Sequence, residues 1–209
     1  QGASTTPLLQ AITHEVVDVP PSAVLGPEFV LPPEFVEHSP RLEIPMVRVG
    51  GDYRADSIPV LEWLETRFTE RSLLPDNDGD RAALRERMAW IDRHAFRPMI
   101  GVYYGVDADR IEAAGAVLVD ALATMGRWAS DEGWLGGDRV TLADAVAVPI
   151  HVRMEGLRQL GFAADLPPDW VAHGERCREL AGWPSVEWSA EQTEEFVGRF
   201  RAFRRRRRG

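Results

Sequence analysis

Between Glu43 and Phe68 the chain reads Glu-Ile-Pro-Met-Val-Arg-Val-Gly-Gly-Asp-Tyr-Arg-Ala-Asp-Ser-Ile-Pro-Val-Leu-Glu-Trp-Leu-Glu-Thr-Arg-Phe. No other stretch narrows the choice of fold as much. Met46 to Val49 and Asp52 to Ala55 flank Gly50-Gly51, which predicts a hairpin closed by a two-residue loop. A helix is expected from about Ser57 to Phe68, with Ser57 placed as its N-cap. Ile44-Pro45 stands directly before the first strand and is a candidate for a cis peptide bond. Such a bond would let the N–H and C=O of Ile44 face outward, where an extended ligand can pair with them as an added strand. Free N–H groups and the helix dipole at the helix start form a receptor for a carboxylate. Asp56 beside it can accept an ammonium. Together these groups can recognise the charged end of a free amino acid. An ordinary edge-strand proline and a plain helix cap would use the same residues, so each feature by itself leaves both readings open.

The rest of the chain changes character. Residues 22–40 are Pro-rich and irregular, with room for one helical turn, and His14 to Val19 reads as a short strand closed by Pro20-Pro21. Residues 71–79 read as a linker between domains. Beyond it the pattern is helical. Leu84, Met88, Ile91 and Ala95 mark one face of a long helix that Pro98 should kink or end. Ile111, Ala114, Leu118, Ala121 and Met125 mark the next. Leu142 to Met154 is apolar nearly all round, as in a buried helix. Thr141 and Asp144 at its start form a variant of the capping box, with Asp in place of Glu. Further helices are expected near 168–181 and 189–205.

Composition limits the function. With 209 residues and 44% apolar content, the chain suits one compact unit or two small domains. No run is long enough to span a membrane, and the net charge of -9 argues against nucleic acid as a partner. The single Cys177 excludes an internal disulfide framework and points to a reducing, cytoplasmic compartment. All 24 cationic side chains are Arg, a usage that fits a GC-rich bacterial coding sequence. The run from Arg204 to Arg208 could bind an acidic surface or nucleic acid, but reads first as a solvated, frayed terminus in a favourable helix-dipole position. The five histidines show no His-x-x-x-His or Cys/His spacing of metal-ligand type, so no metal is expected. His151 reads as a hydrogen-bonded core histidine. Cys177, among Glu175, Arg176 and Arg178, reads as buried and inert, although arginines beside a thiol can lower its pKa.

Two segments taken together resemble the glutathione S-transferase superfamily. Ile44-Pro45 and Asp56-Ser57 stand where that family has a Val-Pro before its third strand and a Glu/Asp-Ser at its third helix. Ser39-Pro40 takes the place of an upstream Asn-Pro. Trp134-Leu-Gly-Gly-Asp-Arg-Val-Thr-Leu-Ala-Asp144 resembles the segment before the family's buried helix. The resemblance runs from about His14 to the last helix. It implies an α/β plus all-α architecture: a thioredoxin-like domain over residues 1–70, a linker over 71–79, and an all-helical substrate domain over 80–209.

The resemblance also implies a function. Glutathione, or another low-molecular-weight thiol, would lie against Ile44, Pro45, Asp56 and Ser57, with Arg41 toward its distal carboxylate. Trp90, His94, Arg97, Tyr103 and Tyr104 would line a pocket for a small apolar electrophile. Trp90 serves equally as interdomain core, and Arg97 and the tyrosines equally as a homodimer interface. The family needs a strand and a helix before His14, where Gln1 to Thr13 stand. Ser4, Thr5 and Thr6 are the hydroxyls there that could serve the sulfur, with Ser4 and Thr6 the candidates, although an N-cap role suits any of them. Either the activating residue lies upstream of Gln1 or the domain lacks one. The leading expectation is therefore a transferase-like enzyme. The alternatives are a non-catalytic binding protein and a biosynthetic enzyme that no longer uses the thiol.

Overall fold

The structure, a computed structural model, describes residues 32–40, 42, 44–68 and 72–208. The strand expected at His14 to Val19 lies outside the described residues. Two compact units divide the chain, Gln1–Ser72 and Leu73–Gly209.

The first unit opens, within its described part, on a short helix α1 (Pro33–His38). Strands β1 (Met46–Val49) and β2 (Asp52–Ala55) follow as an antiparallel hairpin with Met46 opposite Ala55 and Val49 opposite Asp52. The loop has only two residues, and Gly50 meets the turn at a φ of 65°, a conformation open to glycine at little cost. Helix α2 (Ser57–Arg67) comes next. Val47 from the hairpin packs with Val60, Trp63 and Leu64 from α2. The i, i+3, i+4 spacing of those helix residues puts them on one face. The guanidinium groups of Arg54 and Arg67 lie over the Trp63 ring at 5.3 and 5.0 Å. Arg67 also pairs with Asp52 at 2.6 Å, which ties the helix end to the start of β2. On α1, His38 stacks on Tyr53 at 3.7 Å between ring centroids, and the Tyr53 hydroxyl donates to Glu34.

The second unit is helical: α3 (Asp78–Ile91), α4 (Arg97–Tyr104), α5 (Ala108–Glu132), α6 (Leu142–Gln159), α7 (Pro168–Arg178) and α8 (Ala190–Arg208). Its entry is anchored. The carbonyls of Leu73, Leu74 and Pro75 accept from the Leu142 N–H at 3.1 Å, Arg139 at 2.6 Å and Arg81 at 2.7 Å. Asn77 then caps α3 through the Asp80 N–H at 2.8 Å. Leu84, Met88, Ile91 and Ala95 are all buried, as the spacing predicts. Pro98 does not break the chain direction abruptly. A π-helical turn (Asp92–Phe96) joins α3 to α4, with Pro98 in the first turn of α4, where its missing N–H costs little.

Helix α6 is buried over every residue from Leu142 to Ile150. Its capping box is formed. The Thr141 N–H donates to Asp144 at 2.8 Å, and the Ala143 N–H reaches the Thr141 hydroxyl at 3.3 Å. The arginine run differs from expectation. Residues through Arg208 are helical, and the Arg204 guanidinium donates to the carbonyls of Val102, Tyr103 and Leu160 at 2.5, 3.2 and 2.8 Å. Those carbonyls belong to the ends of α4 and α6, where an α-helix leaves its last C=O groups without intrahelical donors. A cation there also meets the negative pole of each dipole.

Candidate functional site

In the first unit, the start of β1 and the start of α2 are adjacent. The Ile44-Pro45 peptide bond is cis. The Pro45 carbonyl accepts from the Asp56 N–H at 3.0 Å, which ties the residue before β1 to the residue before α2. Ile44 is 65% exposed. Among the described residues β1 pairs on one side only, with β2.

Asp56, not Ser57, is the N-cap residue, and Ser57 is the first residue of the helix. The reason is the backbone of Asp56, at φ 70° and ψ 143°. It turns the chain so that the Asp56 carbonyl accepts the first helical bond, from the Val60 N–H at 3.0 Å. At ψ 143° this lies outside the left-handed well that Asp tolerates; such a sparsely populated conformation costs on the order of 1–3 kcal/mol, and residues of this kind cluster at functional sites. The first turn of α2 contains no acidic residue, and no side chain caps it. Pro59 has no N–H to offer, so Ser57 and Ile58 supply the amide donors at this pole. The arrangement is a half-buried positive pole beside a cis-proline strand start, suited to a carboxylate on a peptide-like ligand. The structure thus brings Ile44, Pro45, Asp56 and Ser57 together. Arg41, Ser4, Thr5 and Thr6 lie outside the described residues.

The residues expected to line a substrate pocket fall into two groups in the helical unit. Trp90 stacks on His94 at 4.6 Å and meets Trp128 edge-on at 4.8 Å. Arg97 is exposed, one residue past the π turn. Tyr103 and Tyr104 belong elsewhere. Tyr103 is only 5% exposed and packs on Phe196 and Phe200 at 4.9 and 5.0 Å. Burial raises its hydroxyl pKa well above the ordinary tyrosine value, with Arg153 opposing the shift. Tyr103 is therefore a core side chain, a correction to its expected place on a pocket wall. Tyr104, 45% exposed, meets Phe200 and Phe203 edge-on at 5.1 and 4.8 Å. The i, i+4, i+7 spacing of Phe196, Phe200 and Phe203 was the sequence signal for this packing.

Comparison with known proteins gives a consistent answer. No family profile matches the chain. A curated glutathione S-transferase from Pseudomonas putida is 25% identical over 118 residues, 54% of each chain. The match therefore spans about half the length of that curated relative. Among solved structures, glutathione transferase Omega 3C from Trametes versicolor superposes with a TM-score of 0.75 at 16% identity, over 99% of this chain and 87% of that one. The chain has the glutathione S-transferase fold. A Tau class glutathione S-transferase from mango gives a TM-score of 0.74 at 15% identity, over 94% and 91% of the two chains. Rice GST1, solved in complex with glutathione, gives 0.68 at 21% identity, over 78% and 79%. On this transferase fold, no helix among the described residues is long and apolar enough to cross a membrane.

The helical half of the transferase fold holds one further set of reactive side chains. His173 Nε2 lies 3.0 Å from Asp144 Oδ1, and His173 Nδ1 lies 3.0 Å from His151 Nε2. Cys177 Sγ is 3.6 Å from His173 Nε2 and 3.9 Å from His173 Nδ1. Asp144, His173 and Cys177 are fully buried. Burial, with the Asp144 charge, pushes the Cys177 thiol up to about 12 despite Arg176 and Arg178, so the neighbouring arginines do not activate it. Burial, with His173 and Arg178, holds His151 well below the ordinary histidine range. His151 is thus hydrogen-bonded, as expected. His151, His173 and Cys177 converge into a group with donor atoms all within 4.8 Å of one another, which the local metal-ligand spacing did not reveal. The linear spacing hid it because the residues come from two helices, α6 and α7. The His173/Cys177 pair, one turn apart on α7, was its only local trace.

Proposed function

We propose that the chain is a glutathione S-transferase-like enzyme. Residues 1–70 bind glutathione or a related low-molecular-weight thiol, and residues 80–209 hold a small apolar electrophile, with 71–79 joining them. The observation that carries this reading is the α2 pole at Asp56-Ser57 beside the strand start at Ile44-Pro45. The Ser57 and Ile58 amides receive the ligand's α-carboxylate and Asp56 receives its ammonium, while the Ile44 backbone pairs with the ligand's peptide portion. Arg41 is assigned to the distal carboxylate. The likeness to rice GST1, solved with glutathione, supports the choice of thiol. Trp90, His94 and Arg97 are proposed for the electrophile side, with Tyr104 at its margin or at a homodimer interface. In the reaction the bound thiol loses its proton to solvent and the sulfur forms a new bond to the electrophilic carbon, while the bond to the leaving group breaks and that group departs with its electron pair, as chloride from a chlorodinitrobenzene. Holding both reactants oriented makes an encounter reaction effectively intramolecular. The compartment proposed is the cytoplasm.

The test is a calorimetric titration of the purified chain with glutathione, followed by a conjugation assay with a chlorodinitrobenzene. Ser57→Ala should weaken binding by about 1–3 kcal/mol, as for loss of a hydrogen bond to a charged group. Asp56→Ala should abolish measurable heat. Unchanged affinity in both variants would remove this pole from the site. Binding without conjugation would favour a non-catalytic binding protein on the same fold.

A further inference from the structure

We propose that His151, His173 and Cys177 form a binding site for a thiophilic divalent d-block ion of the Zn²⁺ class. The donors already lie close to the spacing such an ion imposes. Zinc sits about 2.0–2.1 Å from histidine nitrogen and about 2.3 Å from thiolate sulfur, in a tetrahedron. That geometry sets donors roughly 3.3–3.6 Å apart. Here His151 Nε2 and His173 Nδ1 are 3.0 Å apart, and Cys177 Sγ is 3.9 Å from His173 Nδ1. The three donor atoms all fall within 4.8 Å of one another.

The surroundings are those of a ligand set. Asp144 accepts from His173 Nε2 at 3.0 Å. That contact assigns the ring proton to Nε2 and leaves Nδ1, 3.0 Å from His151 Nε2, as the ligand atom. Cys177 Sγ lies 3.6 and 3.9 Å from the two ring nitrogens, so the thiol must swing toward Nδ1 to share an ion with it. Asp144 is itself fixed by the Leu135 and Thr141 N–H groups, each at 2.8 Å. A carboxylate that orients a histidine through its far nitrogen is the usual outer shell of a metal-bound imidazole. One thiolate and one carboxylate beside two neutral imidazoles balance a divalent charge. Arg176 and Arg178 lie over Trp134 and Trp183 at 5.8 and 5.4 Å, near enough to favour the thiolate that a bound ion requires.

The seat for His151 is also made. A Cβ on Gly174 would lie 2.7 Å from His151 Nδ1, so only glycine leaves room for this ring. Trp170 stacks on the His151 ring at 3.8 Å between centroids. Three protein ligands leave a fourth position for water. The ion would cross-link α6 to α7, and the site does not depend on the thiol-binding reading.

Co²⁺, which takes the same geometry and is coloured, is the probe. Titrated into chelator-treated chain, it should give tetrahedral visible bands and a thiolate-to-cobalt charge-transfer band that saturate at one equivalent. Zn²⁺ should bleach both and raise the melting temperature. His151→Gln, a change at the partly exposed ligand, should weaken Co²⁺ binding at least about tenfold, and Cys177→Ala should remove the charge-transfer band. Folded wild-type chain that shows neither band nor melting shift overturns the site, whatever the variants do. So does a spectrum unchanged in both folded variants.

Discussion

Asp144 shows how much one carboxylate can organise. Its two oxygens take N–H groups from Leu135 and Thr141, the Thr141 hydroxyl at 3.1 Å and the ring of His173. A fully buried charge is costly unless its lone pairs are filled, and here each oxygen has two partners. Thr141→Ala should cost about 0.5–2 kcal/mol, as for loss of an N-cap. Asp144→Ala should cost more, about 3–5 kcal/mol by analogy with breaking a buried ion pair, because it leaves buried donors facing nothing. Urea unfolding midpoints of the two variants would measure both. An equal loss would mean that Asp144 acts only as a cap. The box itself was legible, because Thr141 and Asp144 are three residues apart in the chain. The contact to His173 was not, because nothing local connects residues 144 and 173.

At the scale of elements, one arginine of the terminal run joins the chain end to two helices at once. Arg204 bonds carbonyls at the ends of two different helices, whereas Arg205, Arg206 and Arg207 are exposed. Arg204→Ala should destabilise the helical unit by about 1.5–3 kcal/mol, as for hydrogen bonds to a charged group. Arg206→Ala should fall within about 0.5 kcal/mol of wild type. Thermal melting of the two variants tells them apart, and equal melting temperatures would return the whole run to solvent. Charge composition predicted a frayed terminus here because five like residues look equivalent in sequence. Only the helical phase of α8 decides which one faces the ends of α4 and α6. The same holds for Tyr103 and Tyr104, neighbours in the chain of which one is core and the other half on the surface.

Across the whole molecule, the features legible in advance were those encoded within a few residues: the hairpin at Gly50-Gly51, the cis bond at Ile44-Pro45, and the all-round apolar helix after Thr141. What could not be read depended on residues distant in sequence, as with the His151, His173 and Cys177 group, or on backbone geometry, as at Asp56. The single cysteine makes the integrity of the helical unit measurable. Its thiol is buried, and burial keeps it protonated up to about 12 against an ordinary value of 9.0. Chelator-treated native chain should therefore resist iodoacetamide at pH 8, and alkylation should rise with urea along the unfolding curve, read by intact mass. The sign at alkaline pH follows. The native state keeps a proton that the unfolded chain releases, so this group's contribution declines as pH rises from about 9 toward 12. Rapid labelling of the folded chain would show that α7 opens without global unfolding.

The π turn at Asp92–Phe96 has a consequence for how such a chain can change. A π turn is an α-helix with one residue too many, and each residue advances the helical wheel by about 100°. Everything after it is rotated relative to everything before it, like text shifted by one character. The face bearing Trp90 and the core face bearing Met99 and Val102 are therefore aligned by a count, independently of the identity of any side chain. A single-residue deletion within 92–96 would restore an α-helical path while swinging one face relative to the other. A large change in what Trp90 and His94 present is thus one codon away, with no new side chain required.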